Sequence, residues 1–137
     1  MRLESINVGR AETISAGDRA FTTGIRKYPQ QGPVRITVNG IPGDAIVDTR
    51  HHGGPDQAIY AYGADDYDWW ADTTGEDYCP GMFGENLTIR DLPSDLRIGD
   101  RLLIGEVVLG IVLIRRMRKD GFIPEAIFDA RGRVIVC

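Results

Sequence analysis

Seventeen glycines and seven prolines punctuate this chain at short intervals, and the segments between them are brief and rich in β-branched residues. That pattern predicts many short strands joined by turns. Val34-Arg35-Ile36-Thr37-Val38 alternates strictly, which is the period of a half-buried strand. Asn39-Gly40 follows at once as a turn signal. Ala45–Asp48, Asn86–Ile89, Arg101–Ile104, Val107–Leu113 and Val134–Val136 also read as strands. Gly105-Glu106 joins two of them as a hairpin, and Ile98-Gly99-Asp100 marks another turn. One helix is predicted over Ala64–Asp72. Asp65 and Asp66 suit its positive end, Thr73-Thr74-Gly75 stops it, and Tyr67 and Trp70, three apart, cover one face of the core. A second, shorter helix is predicted to start at Pro124, with Gly132 beyond its end. The expected fold class is mainly β: a closed or nearly closed β-barrel of short strands with one or two short helices.

The chain has 137 residues, without a linker or internal repeat, so a single domain over 1–137 is expected. A hydrophobic share of 42% supports a real core and argues against disorder. The net charge of −4 argues against affinity built on phosphate neutralisation, so no nucleic-acid partner is expected. The longest apolar run, Val107–Ile114, is eight residues. A membrane helix needs about 20. The first residues show no apolar signal segment. Two cysteines, Cys79 and Cys137, make neither a CxxC pair nor a disulfide framework. The expectation is a cytoplasmic monomer or homodimer with no membrane partner.

Four segments stand out from the strand pattern. Thr22-Thr23-Gly24-Ile25-Arg26-Lys27 combines hydroxyls, a glycine and two cations, as an anion-holding loop or as an ordinary solvated one. His51-His52-Gly53-Gly54-Pro55 carries the only two histidines. Adjacent glycines let a backbone approach a ligand, and such a turn can aim successive N–H groups at an anion; a solvated surface turn is the alternative. Zinc needs three or four ligands in fixed geometry, and adjacent histidines usually point apart, so no zinc site is expected. In Gly81-Met82-Phe83-Gly84-Glu85-Asn86-Leu87 the Asn86 amide lies at a strand mouth, placed to fix a polar ligand or to bond within its own turn. Arg115-Arg116-Met117-Arg118-Lys119 offers guanidinium forks for phosphate or carboxylate, or a solvated charge run. The acidic stretch from Asp65 to Asp77 reads as a solvated helix face. Neither a Gly-x-Ser-x-Gly elbow nor a P-loop is present.

Taken in order, these segments resemble the MOSC domain, named for the C-terminal domain of molybdenum-cofactor sulfurase, and most of all its small bacterial stand-alone members. The resemblance rests on Thr23-Gly24-Ile25-Arg26-Lys27 with Gly32-Pro33-Val34, on Gly43-Asp44 through Arg50, and on His52-Gly53-Gly54-Pro55-Asp56 with Ala58-Ile59-Tyr60-Ala61-Tyr62. Phe83-Gly84-Glu85-Asn86-Leu87-Thr88 and Ile98-Gly99-Asp100 complete it. It implies a β-rich barrel that binds the molybdenum cofactor, a pterin dithiolene (molybdopterin) carrying a phosphate. Pyridoxal phosphate binding is also associated with the family. Relatives handle the sulfur of the cofactor or reduce N-hydroxylated compounds, drawing electrons from separate redox partners. By position the resemblance assigns the pocket to Lys27, His52, Gly53, Gly54, Asn86 and Arg115. Lys27 and Arg115 would meet anionic groups, the glycines would let backbone come close, and Asn86 would bond a polar edge of the pterin.

One departure cuts against catalysis. The family run Pro-Arg-x-Pro-Cys corresponds here to Ile114-Arg115-Arg116-Met117-Arg118. Arg118 stands where the thiolate belongs, and a guanidinium has no lone pair for a metal. The C-terminal segment 114–137 is atypical and shortened. Cys79 reads as a buried structural thiol. Three functions stay open: a molybdenum-cofactor enzyme or sulfur carrier, a non-catalytic module for an anionic cofactor or small molecule, and a silent scaffold barrel.

Overall fold

The computed structural model describes residues 1–16, 18–50 and 53–112. Within them the chain is mainly β. Strands β1 (Arg2–Gly9), β2 (Glu12–Ala16), β3 (Arg19–Thr23) and β4 (Lys27–Pro29) come first, followed by β5 (Ala61–Gly63), the helix α1 (Ala64–Thr74), β6 (Leu87–Arg90), β7 (Arg101–Ile104) and β8 (Val107–Gly110). A four-stranded sheet has the order β4-β1-β6-β5, and β2–β3 and β7–β8 form separate two-stranded sheets. All pairs are antiparallel except β5–β6, which α1 connects in parallel. A parallel pair needs such a crossover.

The helix follows its predicted signals. Asp65 and Asp66 occupy the first turn, and Gly75 closes the helix in the left-handed region at φ 73°. Its Tyr67 and Trp70 are buried with Tyr62 and Phe83 in an aromatic core. Phe83 lies 4.9 Å, centroid to centroid, from both Tyr62 and Tyr67. The Trp70 indole N–H donates to the Tyr62 hydroxyl at 2.9 Å, which satisfies its one polar atom inside the core. The acidic residues Asp65, Asp68, Asp72, Glu76 and Asp77 lie exposed.

Two predicted strands are not found. Val34–Val38 alternates in burial at its start, with Val34 and Ile36 half-buried and Arg35 exposed, yet it pairs with no ladder. Val34 and Ile36 line a shallow cavity with Leu3, Ile6 and Leu87 instead, while Val38 is exposed. Only Thr37 bridges to Gly40, across the expected Asn39-Gly40 turn. Ala45–Asp48 is likewise irregular. The predicted Gly105-Glu106 hairpin is present, but its second strand stops at Gly110. The predicted helix at Pro124 and the strand Val134–Val136 lie outside the described residues. Among the described residues no helix is long and apolar enough to cross a membrane.

Candidate functional site

A buried carboxylate organises the region that the sequence motifs share. Asp44 follows a glycine turn, and its main chain is drawn against β1: Ala45 N–H donates to Gly9 O at 3.1 Å, and Gly9 N–H donates to Asp44 Oδ1 at 2.6 Å. This approach requires glycine. A Cβ on Gly9 would lie 2.8 Å from Gly24 O, and one on Gly24 would lie 2.4 Å from Ala45 O.

Lys27, the first residue of β4, reaches the same carboxylate. Its ammonium donates to Asp44 Oδ1 at 2.6 Å and to Oδ2 at 2.5 Å. The side chains of the pair are 8% and 4% exposed. Asn86 completes the cluster. Its Nδ2 donates to Asp44 Oδ2 at 2.8 Å and to Asn7 O at 3.3 Å, and its Oδ1 accepts from Tyr60 N–H at 3.1 Å. Asp44 thus joins a main-chain amide, an ammonium and a side-chain amide from three parts of the chain. Charge is balanced and hydrogen bonds are plentiful, the condition under which a buried ion pair is tolerated.

Glu85, next to Asn86, serves the opposite side. It is fully buried. Its Oε1 accepts from Gly81 N–H at 2.7 Å, Thr88 Oγ1 at 2.7 Å and the Tyr67 hydroxyl at 2.8 Å. Oε2 has no partner among the described residues. Burial pushes the Glu85 carboxyl above the usual carboxylate range, against the lowering effect of its three donors. Burial, followed by the Glu85 carboxyl, likewise raises the Tyr67 phenol. Thr88 in turn accepts from Asn7 Nδ2 at 3.0 Å, and Asn7 Oδ1 accepts from Ser5 Oγ at 2.6 Å. The two halves meet at Gly81, where φ is +90° and a Cβ would lie 2.1 Å from Lys27 O. The turn that carries Glu85 and Asn86 therefore packs directly on the Lys27 backbone.

Gly53 and Gly54 both lie in the left-handed region, at φ 84° and 77°. They lead into a 3-10 turn, Pro55–Gln57. A Cβ on Gly53 would approach Ile46 Cδ1 at 3.0 Å, so the turn sits against Ile46, which is two residues beyond Asp44 in sequence. Beside Gly54 a Cβ would meet nothing within 4 Å among the described residues, which leave that face of the turn open.

Of the residues proposed from sequence, Lys27 and Asn86 are brought together, and Gly53 packs on the Asp44 loop. His52, Arg115 and Arg118 lie outside the described residues, as does Cys137. Cys79, expected as a buried thiol, is half-buried and is held in a disulfide instead of being a free thiol. Sequence reasoning missed Asp44 as the hub. The signal was present: a lone carboxylate between Ile41 and Ile46 is costly to bury without a cation, and the chain has only two lysines, Lys27 and Lys119.

The MOSC domain family model matches residues 48–116, slightly more than half of the chain. The chain is 32% identical over 108 residues to YflK of Bacillus subtilis, covering 78% of this chain and 49% of that protein. It is 32% identical over 111 residues to a protein of Gibberella moniliformis named "Reductase", covering 78% of this chain and 19% of that one. The crystal structure of YiiM from Geobacillus stearothermophilus matches with a TM-score of 0.56 at 32% identity, over 78% of this chain and 47% of the other. The chain thus spans about half the length of YflK and of the YiiM structure. Family model, relatives and fold agree: the chain belongs to the MOSC domain family.

Proposed function

We propose that this chain is a binding module for an anionic guest of the molybdenum-cofactor type, held at the Gly53-Gly54 turn. The observation that carries this reading is the pair of consecutive left-handed glycines. One is packed on the loop that Asp44 anchors, and the other is open on the side a Cβ would occupy. Main chain of this kind suits a phosphate that must come close to backbone. Lys27 and Asn86 form the floor that fixes the loop, since their polar atoms already bond Asp44. Arg115 is the candidate for direct charge on the guest. The anion-binding features therefore fit a phosphate-bearing pterin. The metal-binding features do not, because Arg118 stands at the family thiolate position and offers no electron pair to molybdenum. Barrel closure belongs to the same proposal, with the four-stranded sheet and the two hairpins as its wall.

The test is the content of protein made in a host that synthesises the cofactor. About one pterin per chain is expected, and Gly54→Val, which forces a branched residue into positive φ and fills the open face, is expected to remove most of it. Protein without pterin, whose melting temperature is also unmoved by added phosphate-bearing pterin, overturns the reading. A second reading, two-electron reduction of N-hydroxylated compounds, is favoured by the similarity to the "Reductase" protein. It requires stoichiometric molybdenum in the same preparation and a ligand other than residue 118.

A further inference from the structure

We propose that Asp44 sets the anion selectivity of this site: by holding Lys27 in a dry, charge-balanced pair it withholds that cation from small anions. The inference deepens the anionic-guest reading and rests on it. Three observations carry it. Both hydrogen bonds that the Lys27 ammonium makes among the described residues go to one carboxylate, at 2.6 and 2.5 Å. The pair is almost fully sealed from water, at 8% and 4% exposure. The carboxylate is itself locked by Gly9 N–H and Asn86 Nδ2, so it does not swing away when an anion approaches.

The consequence is a site that phosphate alone cannot enter by charge. An incoming anion at Lys27 would face the Asp44 carboxylate as well as the ammonium. At such separations the repulsion cancels most of the attraction, and the desolvation of the anion goes uncompensated. A guest is then selected by what it brings besides charge, namely hydrogen bonds to the glycine turn. Asp44 acts here as a positioning residue. It does not touch the guest, and it decides what Lys27 does.

The experiment measures binding of inorganic phosphate and of pyrophosphate to the full chain by calorimetry. The wild-type chain is expected to show no saturable binding of either at millimolar concentration. Asp44→Asn keeps the shape and removes the charge, and is expected to make pyrophosphate binding saturable at or below millimolar concentration. The double variant Lys27→Met with Asp44→Asn is expected to lose that gain. A purely structural role for Asp44 would lower affinity or leave it flat, so a folded Asp44→Asn chain with unchanged affinity overturns the proposal.

Should Asp44→Asn fail to fold, the wild-type chain answers through amine acetylation, since Lys27 and Lys119 are its only lysines. Lys27 is expected to react far more slowly than a free model amine such as Nα-acetyl-lysine and at a rate indifferent to pyrophosphate; protection of Lys27 by pyrophosphate overturns the proposal. The two readings fail separately. Absence of pterin removes the proposed function, whereas the phosphate arms judge Asp44 whatever the natural guest is.

Discussion

Two cation–carboxylate clusters tie distant parts of this chain together, and they differ in water more than in partners. On the outside, Arg90 at the end of β6 meets Glu4 of β1 and Asp65 and Asp68 of α1, at 3.0, 2.9 and 2.5 Å. The guanidinium holds Glu4 and Asp65 below the usual carboxylate range. Yet Asp65 and Asp68 are 50% and 66% exposed, so solvent competes for their bonds. Inside, Lys27 has a single carboxylate partner and hardly any water. Exposed pairs contribute about 0–1 kcal/mol, whereas removing one partner of a buried pair costs about 3–5 kcal/mol. The cluster with fewer charges is therefore expected to matter more, because its desolvation has already been incurred and only the partner offsets it.

Four variants break or sharpen that contrast. Gly81→Ala should have the largest effect. Left-handed strain of about 1–3 kcal/mol adds to a contact of 2.1 Å with Lys27 O, and relieving that contact displaces the buried pair as well. We expect little folded protein by circular dichroism, and a normal melt would show that the two turns are not packed as described. Asp44→Ala comes next. It strands an ammonium and the Asn86 amide, with an expected loss of about 3–5 kcal/mol in urea unfolding. A loss no greater than that of Arg90→Ala would erase the distinction between the clusters.

Glu85→Gln tests the neighbouring buried carboxyl through pH. Its folded pKa is raised above the ordinary 4.5. The favourable contribution is thus complete below that value and is lost as pH rises through the folded pKa. The stability of wild type minus that of Glu85→Gln should fall as pH is raised from 4.5; a difference that grows with pH would show the carboxylate form to be the favoured one. Arg90→Ala should have the smallest effect, about 1 kcal/mol or less, and shrink further in high salt. An effect of Asp44→Ala that also fades with salt would place the inner pair in contact with solvent.

The sequence was most readable where one local rule acts alone. The helix announced itself through Asp65, Asp66 and Gly75, and the β7–β8 hairpin through Gly105-Glu106. The N-terminal strands were missed because their inward positions do not look apolar. In β1 the buried residues include Asn7 and Gly9, one recruited for hydrogen bonds and the other for a close backbone approach. Val34–Val38 misled for the converse reason: alternation reports which side chains face inward, and says nothing of whether the main chain finds a ladder. At the site, the motif residues Lys27, Gly53 and Asn86 were legible singly. Their dependence on Asp44 was not, since Lys27 and Asp44 are joined only by folding, and a lone acid in an apolar stretch names no partner.

The pairing of β1 with β6 sets a timetable for synthesis. Arg2 faces Arg90 and Leu3 faces Ile89, so the sheet's central seam joins β1 to residues made far later. At about 5–20 residues per second, a nascent β1 waits on the order of 4–18 seconds for its neighbour. During that interval Ile6, half-buried in the folded chain, travels without its neighbouring strand. A cell that overproduces this chain should find chaperone supply, more than final stability, limiting the yield.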